Sequence, residues 1–421
     1  MRRILLLALI VALPASADRV RVIIATRAAA TDVRTEVADA LRTAEKIERW
    51  GDSPVFSADI DRDDLEALKS DPRVVAVSVD EGGSGGLTES IPLIGADVLH
   101  AQGIEGSGTT IAVLDTGIDT DHPDFAGRIV AQHCFCDNFD QGGCCPGGVT
   151  ERDGAGAAED DNGHGTHVTG IAAGGGVVAP AGVAPKAKIV AVKVMDSQNR
   201  FRSFTQIFRA LDWIEKNRPD VDAINMSLGS DALFLPSECD AGAISLGLSW
   251  VIERLRARGV LIAASTGNNG ETERMWIPAC MDAVLGVGAT YDVPGSHDQP
   301  GTSCVGTTGT ADDIACFTNS SASMDIVAPG VSILASGRGG VTATLSGTSM
   351  ASPHVAGTIL LMKQVGGRSL TADIVRDLLL RTGKPVIDVR NRLVFPRLNA
   401  LAAVSATPRA PEQPRRRSLR H

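Results

Sequence analysis

The sequence predicts an α/β fold in which a mostly parallel central sheet is flanked by helices, with a small α+β domain ahead of it. Three observations carry this: short unbroken apolar runs, helical periodicities between those runs, and a glycine-rich break, "EGGSGGLTES", that separates two differently patterned regions. Strand, helix, strand in alternation implies parallel crossover units.

The elements follow in chain order. Arg2 and Arg3, the apolar run Ile4 to Leu13 and the small-x-small Ala15-Ser16-Ala17 read as a signal peptide over residues 1–17, so an exported protein is expected, extracellular or periplasmic. No later run approaches the roughly 20 apolar residues of a membrane helix. Residues 18–87 form the first unit. "RVRVII" reads as a strand, and Val33, Val37, Leu41, Ala44 and Ile47 recur at helical spacing between Thr31/Asp32 and Gly51. "PVFSADI" is a second strand, "DRDDLEALKS" a short helix and "RVVAVSV" an alternating strand. The glycine-rich break that follows is a place for the chain to be cut.

Residues 88–404 form the larger unit. "TIAVLD", "KIVAVKV", "AINMSL", "GVLIAAST" and "AVLGVGA" are continuous apolar runs, the pattern of strands covered on both faces. Phe204, Ile207, Phe208, Leu211 and Ile214 trace a helix after Ser203, and "AISLGLSWVIERLRARG" another that ends at Gly259. Residues 405–421 read as a basic disordered tail. The net charge of -10 argues against nucleic acid as a partner, and a monomer is expected.

In open parallel sheets the chemistry sits at the carboxyl ends of strands. Asp115 closes the run "TIAVL", and a carboxylate there wants a partner because burying it alone costs several kcal/mol. His164 sits between Gly163 and Gly165 at the start of a small-residue helix; His167 three residues on opens a metal reading, but no Glu stands between them in the zinc-protease manner. Ser349, in "LSGTSMASPHVAG", is at another helix start, as a capping serine or as a nucleophile beside backbone amides that stabilise an oxyanion. Asn268 follows a further strand end and can donate a side-chain amide. An acid, a base, a nucleophile and a donor thus stand at four separate ends.

"AVLDTGIDTDHPDF", "DNGHGTHVTG", "NMSLG", "GNNG" and "GTSMASPHVAG" resemble, in order and local sequence, the motif set of the subtilisin-like serine endopeptidases, from about Ile91 to Val404. The resemblance implies a subtilisin-like catalytic domain behind a ferredoxin-like α+β propeptide that assists folding and inhibits until cleaved. It makes Asp115 the residue that orients the imidazole, His164 the general base and then acid, Ser349 the nucleophile and Asn268 an oxyanion donor. Ser227, Leu228 and Gly229 match the segment that pairs with an extended polypeptide substrate; Ser230 replaces a second glycine often found there. Trp276 and Asn269 stand beside the expected side-chain pocket, where no acidic group is placed, so uncharged residues are preferred. No cofactor is implied.

Two rivals come from other classes. A secreted binding protein on a protease-like fold would ordinarily have lost a residue of the Asp, His, Ser set, and none is lost. An α/β-hydrolase esterase would carry G-x-S-x-G, whereas the serine here stands in "GTSMA".

Eight cysteines in an exported chain favour disulfides. Cys304 pairs with Cys316 and Cys239 with Cys280, while Cys134, Cys136, Cys144 and Cys145 cross-pair in preference to a strained bond between neighbours; a zinc knot with His133 is the alternative. The family commonly holds a calcium ion between an aspartate, here Asp124, and a loop beyond the histidine helix. That loop reads "GGGVVAPAG", without a carboxylate or carboxamide, so this site is expected to be empty; Asp160-Asp161 and Asp312-Asp313 are acidic runs that offer calcium oxygens elsewhere.

Overall fold

A ten-stranded sheet forms the backbone of the larger unit in the computed structural model, which describes residues 19–27, 44–49, 53–79, 83–84, 90–139, 142–292, 295–296, 308–367 and 369–410. From one edge the strands run Lys384–Ile387, Val394–Arg397, Ile326–Pro329, Leu285–Thr290, Leu261–Ser265, Ala223–Met226, Thr110–Asp115, Lys188–Lys193, Ile129–Phe135 and Glu151–Asp153. All neighbours are parallel except the pair at each edge. The five apolar runs singled out in the sequence are the five central strands, fully buried apart from Lys188. Being covered on both faces, they have no solvent side on which to alternate polar residues.

One face is covered by Phe204–Asn217, capped by the Ser203 side chain, and Ala243–Ala257, which stops before Gly259 at φ 84°. The other is covered by His164–Ala173 and Thr348–Gly366, whose small residues allow close packing on the strands.

The first unit is a four-stranded antiparallel sheet in the order Glu45–Arg49, Val55–Asp61, Arg19–Thr26, Val74–Val79. One face holds Val20, Val22, Ile24, Phe56, Ala58 and Ile60 with Leu68 of the short helix Leu65–Lys69. The other, through Ile23, Ala25 and Val55, packs with the helices Phe204–Asn217 and Ala243–Ala257. The expected helix does not extend to Ile47: Glu45–Arg49 is an edge strand paired with Val55–Asp61, and its ladder outweighs a periodicity that includes only one apolar residue there, Ile47. Residues 31–43 and 50–51 of that expected helix, the signal peptide and the tail beyond Ala410 lie outside the described residues.

Two disulfides are nested, Cys134 with Cys145 and Cys136 with Cys144, and a third joins Cys239 to Cys280. All four sulfurs of the first cluster are thereby committed, which leaves no thiolate for a zinc knot. Cys316 is disulfide-bonded, and its expected partner Cys304 lies outside the described residues.

Candidate active site

Asp115 is the last residue of a buried strand and is 1% exposed. Its Oδ1 accepts hydrogen bonds from His164 Nδ1 at 2.6 Å and from the Thr116 amide at 2.8 Å. Its Oδ2 has no hydrogen-bond partner among the described residues. Because Nδ1 carries the proton given to the carboxylate, Nε2 of a neutral His164 holds the lone pair.

His164 opens the helix His164–Ala173 directly after Gly163 at φ 113°. Asp160 builds the turn before it: the amides of Asn162, Gly163 and Thr166 and the hydroxyls of Thr116 and Thr166 all donate to its carboxylate. Burial pushes the Asp160 carboxyl up, but these donors together outweigh it and hold it below the usual aspartate range. The Thr116 hydroxyl also accepts from the Gly165 amide, 2.9 Å. Any side chain at Gly165 would collide with the Gly117 carbonyl, so this glycine lets the histidine helix touch the loop after Asp115.

Ser349 is the second residue of Thr348–Gly366, and its hydroxyl donates to the Ser227 carbonyl at 3.1 Å. The Ser227 hydroxyl donates in return to the Ser349 carbonyl. Pro353, inside the helix, explains why that carbonyl is free to accept: a proline has no N–H to give to the residue four positions earlier. Asn225 completes the link, donating to the Ser227 hydroxyl at 2.9 Å and accepting from the Ser352 hydroxyl at 2.7 Å.

Asn268 is held through its Oδ1, which accepts from the Thr348 amide at 2.8 Å and the Thr348 hydroxyl at 3.0 Å. That orientation leaves its Nδ2 as a donor at the start of the Ser349 helix. Asn319, which lies in none of the motifs, fixes the same loop: its Oδ1 accepts from the amides of Asn269 and Glu271, and its Nδ2 donates to the Thr266 carbonyl and Asn269 Oδ1.

Ser227, Leu228 and Gly229 are buried and lead into the short strand Gly229–Ser230. This strand and Arg200–Phe201 flank Gly83–Ser84, which pairs antiparallel with both. The glycine-rich break thus includes the middle strand of a three-stranded sheet. Ser230 does not narrow the groove, since its hydroxyl donates to the Ala232 carbonyl and accepts from the Ile277 amide. Beside His164 opens a cavity of about 470 Å³ lined by Asn199, Arg338, Val341, Ala343 and Leu345.

Other titratable groups nearby are structural. His167 donates from Nε2 to the Ala343 carbonyl at 3.0 Å, and burial lowers its pKa to about 3. His354 donates from Nδ1 to the Met350 carbonyl and accepts the Ser90 amide on Nε2, with a pKa lowered by burial to about 4. Both are neutral near pH 7. Asp124 Oδ1 accepts the amides of Val177 and Val178, and Oδ2 accepts the Ala179 amide and the Ser336 hydroxyl. Calcium requires oxygens, and this loop presents N–H groups to the carboxylate instead, so these residues do not fit the ion. Asp161 pairs with Lys193, and Asp312 with Arg397 and Lys384. Among the described residues no group of His, Cys, Asp or Glu is arranged to hold a metal.

The model of the subtilase peptidase family matches residues 106–402. The chain is 35% identical to the alkaline protease of Shouchella clausii over 74% of this chain and 69% of that relative. It is 33% identical to subtilisin E of Bacillus subtilis (strain 168) over 73% and 69%. The crystal structure of a cold adapted subtilisin-like serine proteinase superimposes with a TM-score of 0.53 at 27% identity, covering 70% of this chain and 90% of that one. With the family model spanning most of the chain, this protein belongs to the subtilase family and is a serine endopeptidase of the subtilisin type.

Proposed function

We propose that the protein is an exported endopeptidase, made as a precursor, in which Ser349 is the nucleophile, His164 the general base and acid, Asp115 the orienting carboxylate and Asn268 an oxyanion donor. The observation that carries this reading is the buried 2.6 Å hydrogen bond from His164 Nδ1 to Asp115, which fixes the tautomer a general base needs. The Ser349 Oγ bonds to the peptide carbonyl carbon as its proton passes to His164 Nε2. The oxyanion that forms is stabilised by Asn268 Nδ2 and the amides at the helix start. Collapse breaks the C–N bond, and the amine leaves with the proton from His164. Water then attacks the acyl carbon as His164 takes one of its protons; the ester C–Oγ bond breaks, His164 returns that proton to Ser349 Oγ, and the acid is released.

Substrate polypeptides bind as an added strand beside Gly229–Ser230, the place Gly83–Ser84 takes in this chain. Residues 18–87 are accordingly read as a propeptide: their sheet packs on two helices of the catalytic domain, and the segment leading out of it fills the substrate position. Support for a protease partner role rather than a separate binding domain comes from that occupied cleft.

The test is mass spectrometry of the precursor beside Ser349→Ala. The wild-type chain is expected to lose its first unit, and the variant to stay full length after signal removal. A variant that matures and digests casein at the wild-type rate contradicts the assignment.

A further inference from the structure

We infer that Trp276 fills the side-chain pocket next to the nucleophile, so that this protease cuts after glycine or alanine and rejects large residues; this rests on the proteolytic reading above. The pocket has two walls. One is Ser227 to Ser230, whose first carbonyl receives the Ser349 hydroxyl and whose end pairs with Gly83–Ser84. The other is Thr266 to Asn268, which ends at the proposed oxyanion donor. A peptide strand lying along Gly229 and passing Ser349 directs the side chain of its reacting residue between these walls.

The segment Trp276–Ile277 closes the floor, held to both walls by main-chain and hydroxyl bonds. The Trp276 amide donates to the Thr266 carbonyl at 3.1 Å; the Ser230 amide donates to the Ile277 carbonyl at 2.9 Å, and the Ile277 amide donates to the Ser230 hydroxyl at 3.1 Å. The indole therefore cannot swing out with its backbone. It lies against both walls: a methyl group on Gly229 would come within 2.7 Å of Trp276 Cβ and 2.8 Å of Cε3, and one on Gly267 within 2.6 Å of Cδ2. Trp276 is 6% exposed. Gly229 thus gives up its side-chain space to the indole, and Gly267 gives up its own to the indole and the Asn319 amide together, so what remains between the walls is shallow.

The chain's own sequence is compatible with such a pocket. Ser84 pairs with Gly229, and Gly86, two residues further along the sequence, is a residue of the size a shallow pocket would take. A shallow pocket favours the Gly86–Leu87 bond for self-cleavage over Leu87–Thr88, the bond suggested by the apolar character of Leu87 alone.

The experiment uses the mature enzyme and a peptide series that differs only in the residue before the scissile bond, with Gly, Ala, Leu and Phe, and Ser349→Ala as the blank. Wild type is expected to cleave the Ala peptide with kcat/KM at least about 100-fold above Phe, the range one or two mismatched groups in an apolar pocket can impose. Trp276→Ala is expected to raise kcat/KM for Phe and Leu about tenfold or more while Ala cleavage stays within a few-fold. Trp276→Phe, a smaller truncation, keeps the test informative if the alanine variant does not fold, and should shift preference partway. N-terminal sequencing of the matured wild type should start at Leu87. Wild type that cleaves after Phe as fast as after Ala, or folded Trp276 variants that gain nothing on large residues, overturns the inference and leaves proteolysis standing. Absence of any Ser349-dependent cleavage overturns both.

Discussion

Asp115 and Asp124 are nine positions apart, one closing a strand and the other in the turn Pro123–Phe125, both buried, and they are satisfied in opposite ways. Asp124 accepts three amides and a hydroxyl, and although burial pushes its carboxyl up, these donors outweigh it and hold it below the usual range. Asp115 accepts one amide and one imidazole, and its second oxygen has no partner among the described residues. A saturated carboxylate can only hold structure together. The less saturated one holds the His164 imidazole, and in the proposed mechanism the imidazolium that forms there has a charge waiting beside it. The same residue type does two jobs, and the donors around it decide which.

The largest effect that would sharpen this contrast is on activity. Asp115→Asn keeps the volume but offers an amide N–H or a neutral oxygen to His164, so kcat is expected to fall by about 10⁴ with the fold retained. A tenfold loss or less, measured on a correctly folded variant, would put Asp115 outside the chemistry.

Next is stability at Asp124. Asp124→Ala leaves three loop amides without their acceptor, at about 1–3 kcal/mol each where they remain buried. A fall in Tm of ten degrees or more is expected, while activity per folded molecule is little changed. In wild type, melting with calcium and with chelator should agree at this site, because its oxygens are already committed to donors. A calcium-dependent shift of several degrees that Asp124→Ala abolishes would break the comparison.

The smallest effect is on pH. Asp124 and Asp160 are both held below the ordinary aspartate value of about 3.9 in the folded chain, so the unfolded chain binds protons more readily. Their contribution is therefore complete above about pH 4 and is lost as pH falls through the folded-state values. Acid titration of Asp160→Asn should show a shallower loss of stability below pH 4 than wild type; an unchanged acid limb would mean that these hydrogen bonds do not favour the charged form.

How much of this was legible in the sequence depends on whether the cause was local. The five central strands could be read because residues buried on both faces leave an unbroken apolar run; Asp115, His164, Asn268 and Ser349 stand out as candidates because each sits at an element end inside a distinctive motif. The empty reading of the Asp124 loop was also local, since "GGGVVAPAG" lacks side-chain oxygens, but the amides that take their place depend on loop conformation. The helical periodicity misleads at Glu45–Arg49 because what decides there is pairing with a separate segment, Val55–Asp61. Asn319 carries no signal at all: its value lies in reaching a loop some fifty residues earlier in the chain. Trp276 was noticed as bulky, but that it occupies the space of Gly229 and Gly267 is visible only when three distant segments are brought together.

The proposed chemistry depends most directly on whether Ser349 is activated by the His164–Asp115 pair. Treating the mature protein with a fluorophosphonate and mapping the adduct by peptide mass spectrometry reads this in one step. Labelling of Ser349 alone, lost in His164→Ala and strongly slowed in Asp115→Asn, is the result predicted. Peptidase activity that survives full treatment with Ser349 unmodified, or labelling of Ser349 at the same rate without His164, would contradict it.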